Sequence, residues 1–60
     1  MKILKIKDVI KKVALSETTI YRKRKEGSFP KAVRLGPRTV GWIESEIDEW
    51  ISEKMLDRVA

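Results

Sequence analysis

Neither cysteine nor histidine occurs anywhere in these sixty residues, and that absence limits how the chain can hold itself together. A chain this short buries only about 60% of the surface it exposes when unfolded, so its core is thin. Domains of this size commonly add disulfides, a metal or a partner chain. A disulfide framework is excluded here, and a zinc or haem site lacks its usual ligands. Extra stability must come from helix packing or from a bound partner. One domain over residues 1–60 is expected, with no cofactor, and the missing cysteine fits a reducing cytoplasm.

The N-terminal residues Met1 to Lys7 alternate apolar and basic side chains, and no apolar run of signal-peptide length follows. No stretch approaches the roughly 20 apolar residues that span a bilayer. A soluble cytoplasmic protein without membrane contact is the expectation. Charge is unevenly placed. Residues 1–42 carry twelve Lys/Arg against Asp8, Glu17 and Glu26, whereas residues 43–60 carry Lys54 and Arg58 against six acids. A polyanion is attracted to the first part and repelled by the second. Basic residues that merely keep a small protein soluble are the plainer account of the same numbers.

Periodicity divides the chain into short elements. Ile6, Val9, Ile10 and Val13 recur as one helical face, which predicts a helix over residues 6–13 with Lys5, Lys7, Lys11 and Lys12 largely opposite. Asp8 in its first turn suits the helix dipole. After Ala14 and Leu15, Ser16 is a good N-cap for a second helix that runs to Gly27, the expected stop. Glu17 favours its start and the Arg22–Lys25 run its end. Two short helices about three residues apart read as a helix-turn-helix sharing Leu15 and Ile20 as core.

Phe29-Pro30 breaks any further helix. Val33 and Leu35, then Val40 and Trp42, alternate with Arg34, Thr39 and Gly41 around the turn residues Gly36-Pro37-Arg38. This predicts a β-hairpin wing with strands near 32–35 and 39–42, and Ile3-Leu4-Lys5 as a candidate edge strand. Ile47, Trp50, Ile51 and Met55 then mark one face of a third helix over about 44–56, with its acids mostly outside that face. The fold expected is mainly α with a small β-hairpin: a winged helix-turn-helix closed by a C-terminal helix.

Two constellations carry candidate chemistry. With Ile20 inward, the helical period turns Thr18, Tyr21, Arg22 and Lys25 outward along one side of the second helix. Hydroxyls and a guanidinium in a row can reach phosphates and base edges, and arginine grips guanine bidentately. The alternative is a solvated basic helix. At the wing, Lys31, Arg34, Arg38 and Thr39 surround the turn, where arginine is drawn to phosphate or to the minor groove. Otherwise Gly36-Pro37-Arg38 is simply a tight turn with Arg38 on its flank. Trp42, Trp50 and Phe29 read as core, which leaves Tyr21 as the one aromatic expected at a DNA surface. Catalysis has little support: no His or Cys serves as nucleophile or base, and Glu44/Asp48 and Glu46/Glu49/Glu53 lie on one helix of a chain too small for a deep pocket.

Several strings together resemble a known family. Leu15-Ser16, Thr19-Ile20-Tyr21-Arg22, Gly27, Phe29-Pro30-Lys31, Val33 to Arg38, Val40-Gly41-Trp42 and Glu49-Trp50-Ile51 are similar in order and spacing to the AlpA family of phage and prophage regulators. The resemblance covers about residues 3–54. It implies a winged helix like that of excisionases and the MerR N-terminal domain, with residues 16–26 as recognition helix and the hairpin near Arg38 as wing. It also implies regulation of prophage genes, or an excisionase-type accessory role beside an integrase. This chain departs from the family at Ala14, where glycine is frequent, and at Glu17, where a basic residue is frequent. Lys23 and Arg24 stand where apolar residues are frequent, and their aliphatic stems can cover the core.

The function expected is therefore sequence-specific binding of double-stranded DNA in the cytoplasm, associated with the nucleoid. Ser16, Thr18, Thr19, Tyr21, Arg22 and Lys25 are the expected groove contacts, and Lys31, Arg34, Arg38 and Thr39 the expected wing contacts. The chain is expected to be a monomer in solution or to assemble cooperatively on DNA. An alternative is a protein-interaction module whose acidic third helix docks on a response regulator, an integrase or a second copy of itself.

Overall fold

The spacing of Ile6, Val9, Ile10 and Val13 produces the first helix, α1 (Ile6–Val13), over the residues expected. The computed structural model describes residues 2–57; Met1 and Arg58, which enter the alternation and the charge count above, lie outside the described residues. α1 buries Val9 completely and leaves Lys7, Lys11 and Lys12 exposed. It ends at Ala14, which adopts the left-handed conformation (φ 57°) and donates its N–H to the Ile10 carbonyl. A side chain with a Cβ is strained there by about 1–2 kcal/mol.

Ser16 caps α2 (Glu17–Glu26): its Oγ accepts from the Thr19 amide at 3.2 Å. Gly27 stops the helix at φ 84°, with its N–H on the Arg24 carbonyl, and Ser28 reaches back to the Lys23 carbonyl through both amide and hydroxyl. Free carbonyls at the helix end are thus satisfied by the turn itself.

Three strands, β1 (Ile3–Leu4), β2 (Val33–Gly36) and β3 (Thr39–Ile43), form one antiparallel sheet in the order β1-β3-β2. The hairpin is β2–β3, turning through Pro37 and Arg38, with Arg34 opposite Val40 and Gly36 opposite Thr39. The register slips by one residue between those two pairs, so Leu35 bulges out of the ladder. The edge strand is also present, pairing Ile3 with Ile43 and Leu4 with Trp42. α3 (Glu44–Leu56) leaves β3 without a linker, and the Glu44 amide donates to the Lys2 carbonyl at 2.9 Å.

Every element but β2 gives one side chain to the buried core: Leu4, Val9, Ile20, Trp42 and Ile47, joined by Phe29 from the connecting loop. Each such burial stabilises by roughly 1.5–3 kcal/mol, so none is redundant in a core this small. Trp42 is anchored by its indole N–H on the Pro30 carbonyl (3.0 Å). Trp50 is half-buried, donates to the Ser28 carbonyl (2.8 Å) and meets the Phe29 ring edge-on at 4.8 Å. Met55 departs from the expected apolar face. It is 51% exposed, because the last turn of α3 extends past the layer on which Ile47, Trp50 and Ile51 pack.

Two contacts have no signature in local pattern. Gly41 is buried in β3, and an added Cβ would strike the Ile3 Cγ2 methyl while lying 3.1 Å from Leu35 Cδ1 and 3.2 Å from the Leu4 carbonyl. Lys12 spans from α1 to α3, with Nζ 2.7 Å from Asp48 Oδ1 and 3.4 Å from Glu44 Oε2. The bond to Asp48 holds the Lys12 ammonium above its ordinary value, with the Glu44 carboxylate adding to the effect.

Gly41→Ala is expected to destabilise by about 1–3 kcal/mol through overpacking. Ala14→Gly is expected to stabilise by about 0.5–1 kcal/mol through relief of the left-handed strain. Thermal unfolding followed by circular dichroism should move the two midpoints in opposite directions. For Lys12, a folded-state value above 10.5 means that its contribution is complete below 10.5 and is lost as pH rises through the raised value. The stability difference between the wild type and Lys12→Met should stay constant from neutral pH to that point and shrink above it. A difference already shrinking near neutrality would contradict the ion-pair account.

Candidate nucleic-acid interface

Ile20 is completely buried, and this fixes the rotation of α2. Thr18, Arg22 and Lys25, at i, i+4 and i+7, fall on the opposite side, and all three are exposed. At 1.5 Å per residue the row is about 10 Å long, which suits a major groove about 12 Å wide. Ser16, the cap, sits at its N-terminal end and is exposed. Its hydroxyl donates to Thr19 Oγ1 at 2.9 Å while accepting from the Thr19 amide. The Ser16 proton is thus spent within the turn, and of this pair only the Thr19 hydroxyl proton remains to be donated outward.

Tyr21 sits deeper than the helical period alone predicts. The helical period turns it toward the outward row, but the ring is half-buried and packs against Trp42, with centroids 6.5 Å apart and planes tilted by 52°. The cause is the width of the contact between α2 and the sheet. Trp42 is broad enough to meet the residue next to Ile20 on the helix surface as well as Ile20's own layer. The Arg24 guanidinium lies over the same tyrosine ring, 5.1 Å from its centroid. From the sequence, Arg24 is expected in the basic run at the end of the helix and as a stem covering the core, not on an aromatic ring. The readable signal for this contact is its i, i+3 spacing from an aromatic residue.

On the hairpin, Lys31 precedes β2, Arg38 occupies the turn, and Arg34 and Thr39 lie in the strands; all four are exposed. Because Arg34 pairs with Val40, and side chains alternate along a strand, Arg34 shares the sheet face of Val40 and Trp42, the side packed against α2. The wing therefore turns at least one guanidinium toward the helix rather than away from it.

Charge pairing separates the two ends of the molecule. Among the described residues Lys12 is the one cation in an ion pair, so Arg22, Arg24, Lys25, Lys31, Arg34 and Arg38 keep their donors for a ligand. Glu44 and Asp48 are committed to Lys12, whereas Glu46, Glu49 and Glu53 line the exposed outside of α3. No group of acidic side chains among the described residues is close enough to hold a metal ion. No helix among them is long and apolar enough to cross a membrane.

Comparison with known proteins identifies the family. The family profile described as prophage CP4-57 regulatory protein (AlpA) matches residues 2–55. The DNA-binding transcriptional activator AlpA of Escherichia coli (strain K12) is 42% identical, over 90% of this chain and 86% of its own length. An uncharacterized protein, ORF88, of Enterobacteria phage P4 is 34% identical, over 92% of this chain and 62% of its own. The profile takes in five elements whole and α3 up to Met55, with both halves of the basic surface, and the chain belongs to the AlpA family of prophage regulatory proteins.

Proposed function

We infer that this chain is a sequence-specific double-stranded-DNA-binding protein that regulates transcription of prophage genes. The observation that carries the reading is the exposed Thr18–Arg22–Lys25 row, rigidly opposite a buried Ile20 and free of carboxylate partners. α2 enters the major groove with Thr18 and Arg22 toward base edges and Lys25 toward phosphate. Ser16 holds the N-terminus of that helix and Thr19 supplies one hydroxyl donor beside it. The hairpin lies along the adjacent backbone, with Lys31, Arg34, Arg38 and Thr39 as contacts. Such a protein works in the cytoplasm, where its DNA is.

The name of the E. coli relative, a transcriptional activator, supports regulation over an excisionase-type role. Docking of α3 on an integrase or response regulator is the weaker reading. Glu44 and Asp48 already bind Lys12, so only the outward acids Glu46, Glu49 and Glu53 are left for a partner.

Duplexes selected from a random pool should yield one preferred sequence, and affinity for it should fall steeply with salt. Arg22→Ala is expected to cost about 1–3 kcal/mol on the selected duplex and much less on a random one, because a guanine-reading contact is lost only where the guanine is present. Fluorescence anisotropy against both duplexes measures the two losses. An equal loss on both assigns Arg22 to phosphate, and no loss removes it from the interface.

A further inference from the structure

We propose that Arg24 is a phosphate-binding residue at the junction of α2 and the wing, and that Tyr21 is the positioning residue that aims it. The proposal rests on the DNA-binding reading above and adds to it a contact and a division of labour.

The chain of support begins in the core. Trp42 is fully buried in the middle strand, the Tyr21 ring leans on it, and the Arg24 guanidinium covers the tyrosine ring at 5.1 Å. An arginine on a helix surface ordinarily samples many rotamers, and ordering it on binding costs side-chain entropy. A guanidinium already held over an aromatic ring has lost part of that freedom before DNA arrives. A contact with the ring face engages no hydrogen-bond acceptor, so guanidinium N–H groups stay available. No carboxylate among the described residues pairs with Arg24, so those donors are open to a bidentate acceptor such as the two free oxygens of a phosphate. Its place is also suitable. Arg24 lies on the flank of α2 beside the sheet, and Arg34 projects from the sheet face that carries Trp42. A second arginine, from the hairpin, is thus carried on the sheet face that supports Tyr21.

This arrangement gives Tyr21 a different task from reading bases. Its ring is occupied on one side by Trp42 and on another by Arg24, so the aromatic surface works through the arginine.

The test uses the full chain, a short mixed-sequence duplex and the duplex selected from the random pool. Arg24→Ala should weaken binding of both by the same factor, roughly tenfold, as expected for a charged hydrogen bond that carries no sequence information. The slope of log affinity against log salt should drop by about one. Tyr21→Phe keeps the ring and should bind like the wild type with the same slope. In the free protein the Arg24 δ-protons should resonate upfield of those of Arg22, through the ring current of Tyr21. Unchanged affinity and slope in Arg24→Ala would overturn the phosphate contact. A loss in Tyr21→Phe equal to that in Arg24→Ala, or coincident δ-protons for Arg22 and Arg24, would overturn the positioning role. Failure of the wild type to bind either duplex sinks the DNA-binding reading itself, whereas binding that depends on Arg22 and not on Arg24 sinks this proposal alone.

Discussion

Trp42 is the side chain on which the other elements are assembled. It sits in the central strand, so its ring meets α2 through Tyr21, and its indole N–H holds the Phe29-Pro30 connection by the Pro30 carbonyl. A buried indole without that acceptor would leave a polar group unsatisfied in the core, at a cost of about 1–3 kcal/mol. The bond therefore fixes where the chain returns from the helical pair to the sheet. Phe29 in turn meets Trp50, which brings α3 over the same core. One residue in the middle strand thereby coordinates the rotation of α2, the path of the loop and the seat of the last helix.

The same assembly explains which parts of the fold were legible in the sequence. α1 and α3 occupy the residues predicted from their periodicity, and Ser16 and Gly27 mark the ends of α2 by chemistry that acts within one turn. Hairpin and edge strand were readable from alternation and turn residues. What failed to show was anything decided by the width of a neighbour. Tyr21 belongs to the outward side of an isolated helix, and only the breadth of Trp42 draws it in. Met55 belongs to the apolar face of α3, and only the length of the layer beneath decides that it is exposed. Gly41 and the Lys12–Asp48 contact join positions far apart in the chain, and no spacing rule reports them. In the candidate interface the exposed row was legible because it is the complement of Ile20. The engagement of Ser16 with Thr19, and of Arg24 with Tyr21, depends on rotamers that periodicity does not contain.

Charge organisation follows from the packing as well. The excess of basic groups on α1, α2 and the hairpin would repel itself in so small a body. Lys12, turned toward the start of α3, is the point where the basic and acidic regions meet, and it draws two carboxylates to α1. Acids at the opening of α3 also favour that helix by its dipole. The remaining acids face outward on α3. A polyanion approaching the protein is therefore oriented before contact, with the α2 and hairpin side leading.

β2 contributes nothing to the buried core and is held chiefly by the ladder it shares with β3. Its exposed side chains Val33, Arg34 and Leu35 lie outside the buried core, so replacing them spares the core residues themselves. A lineage can thus vary Arg34, Leu35 and, in the turn beyond, Arg38 while inheriting an unchanged buried core. For the engineer the same separation marks β2 and its turn as a segment to exchange between relatives, while β3, which carries Trp42, stays in place.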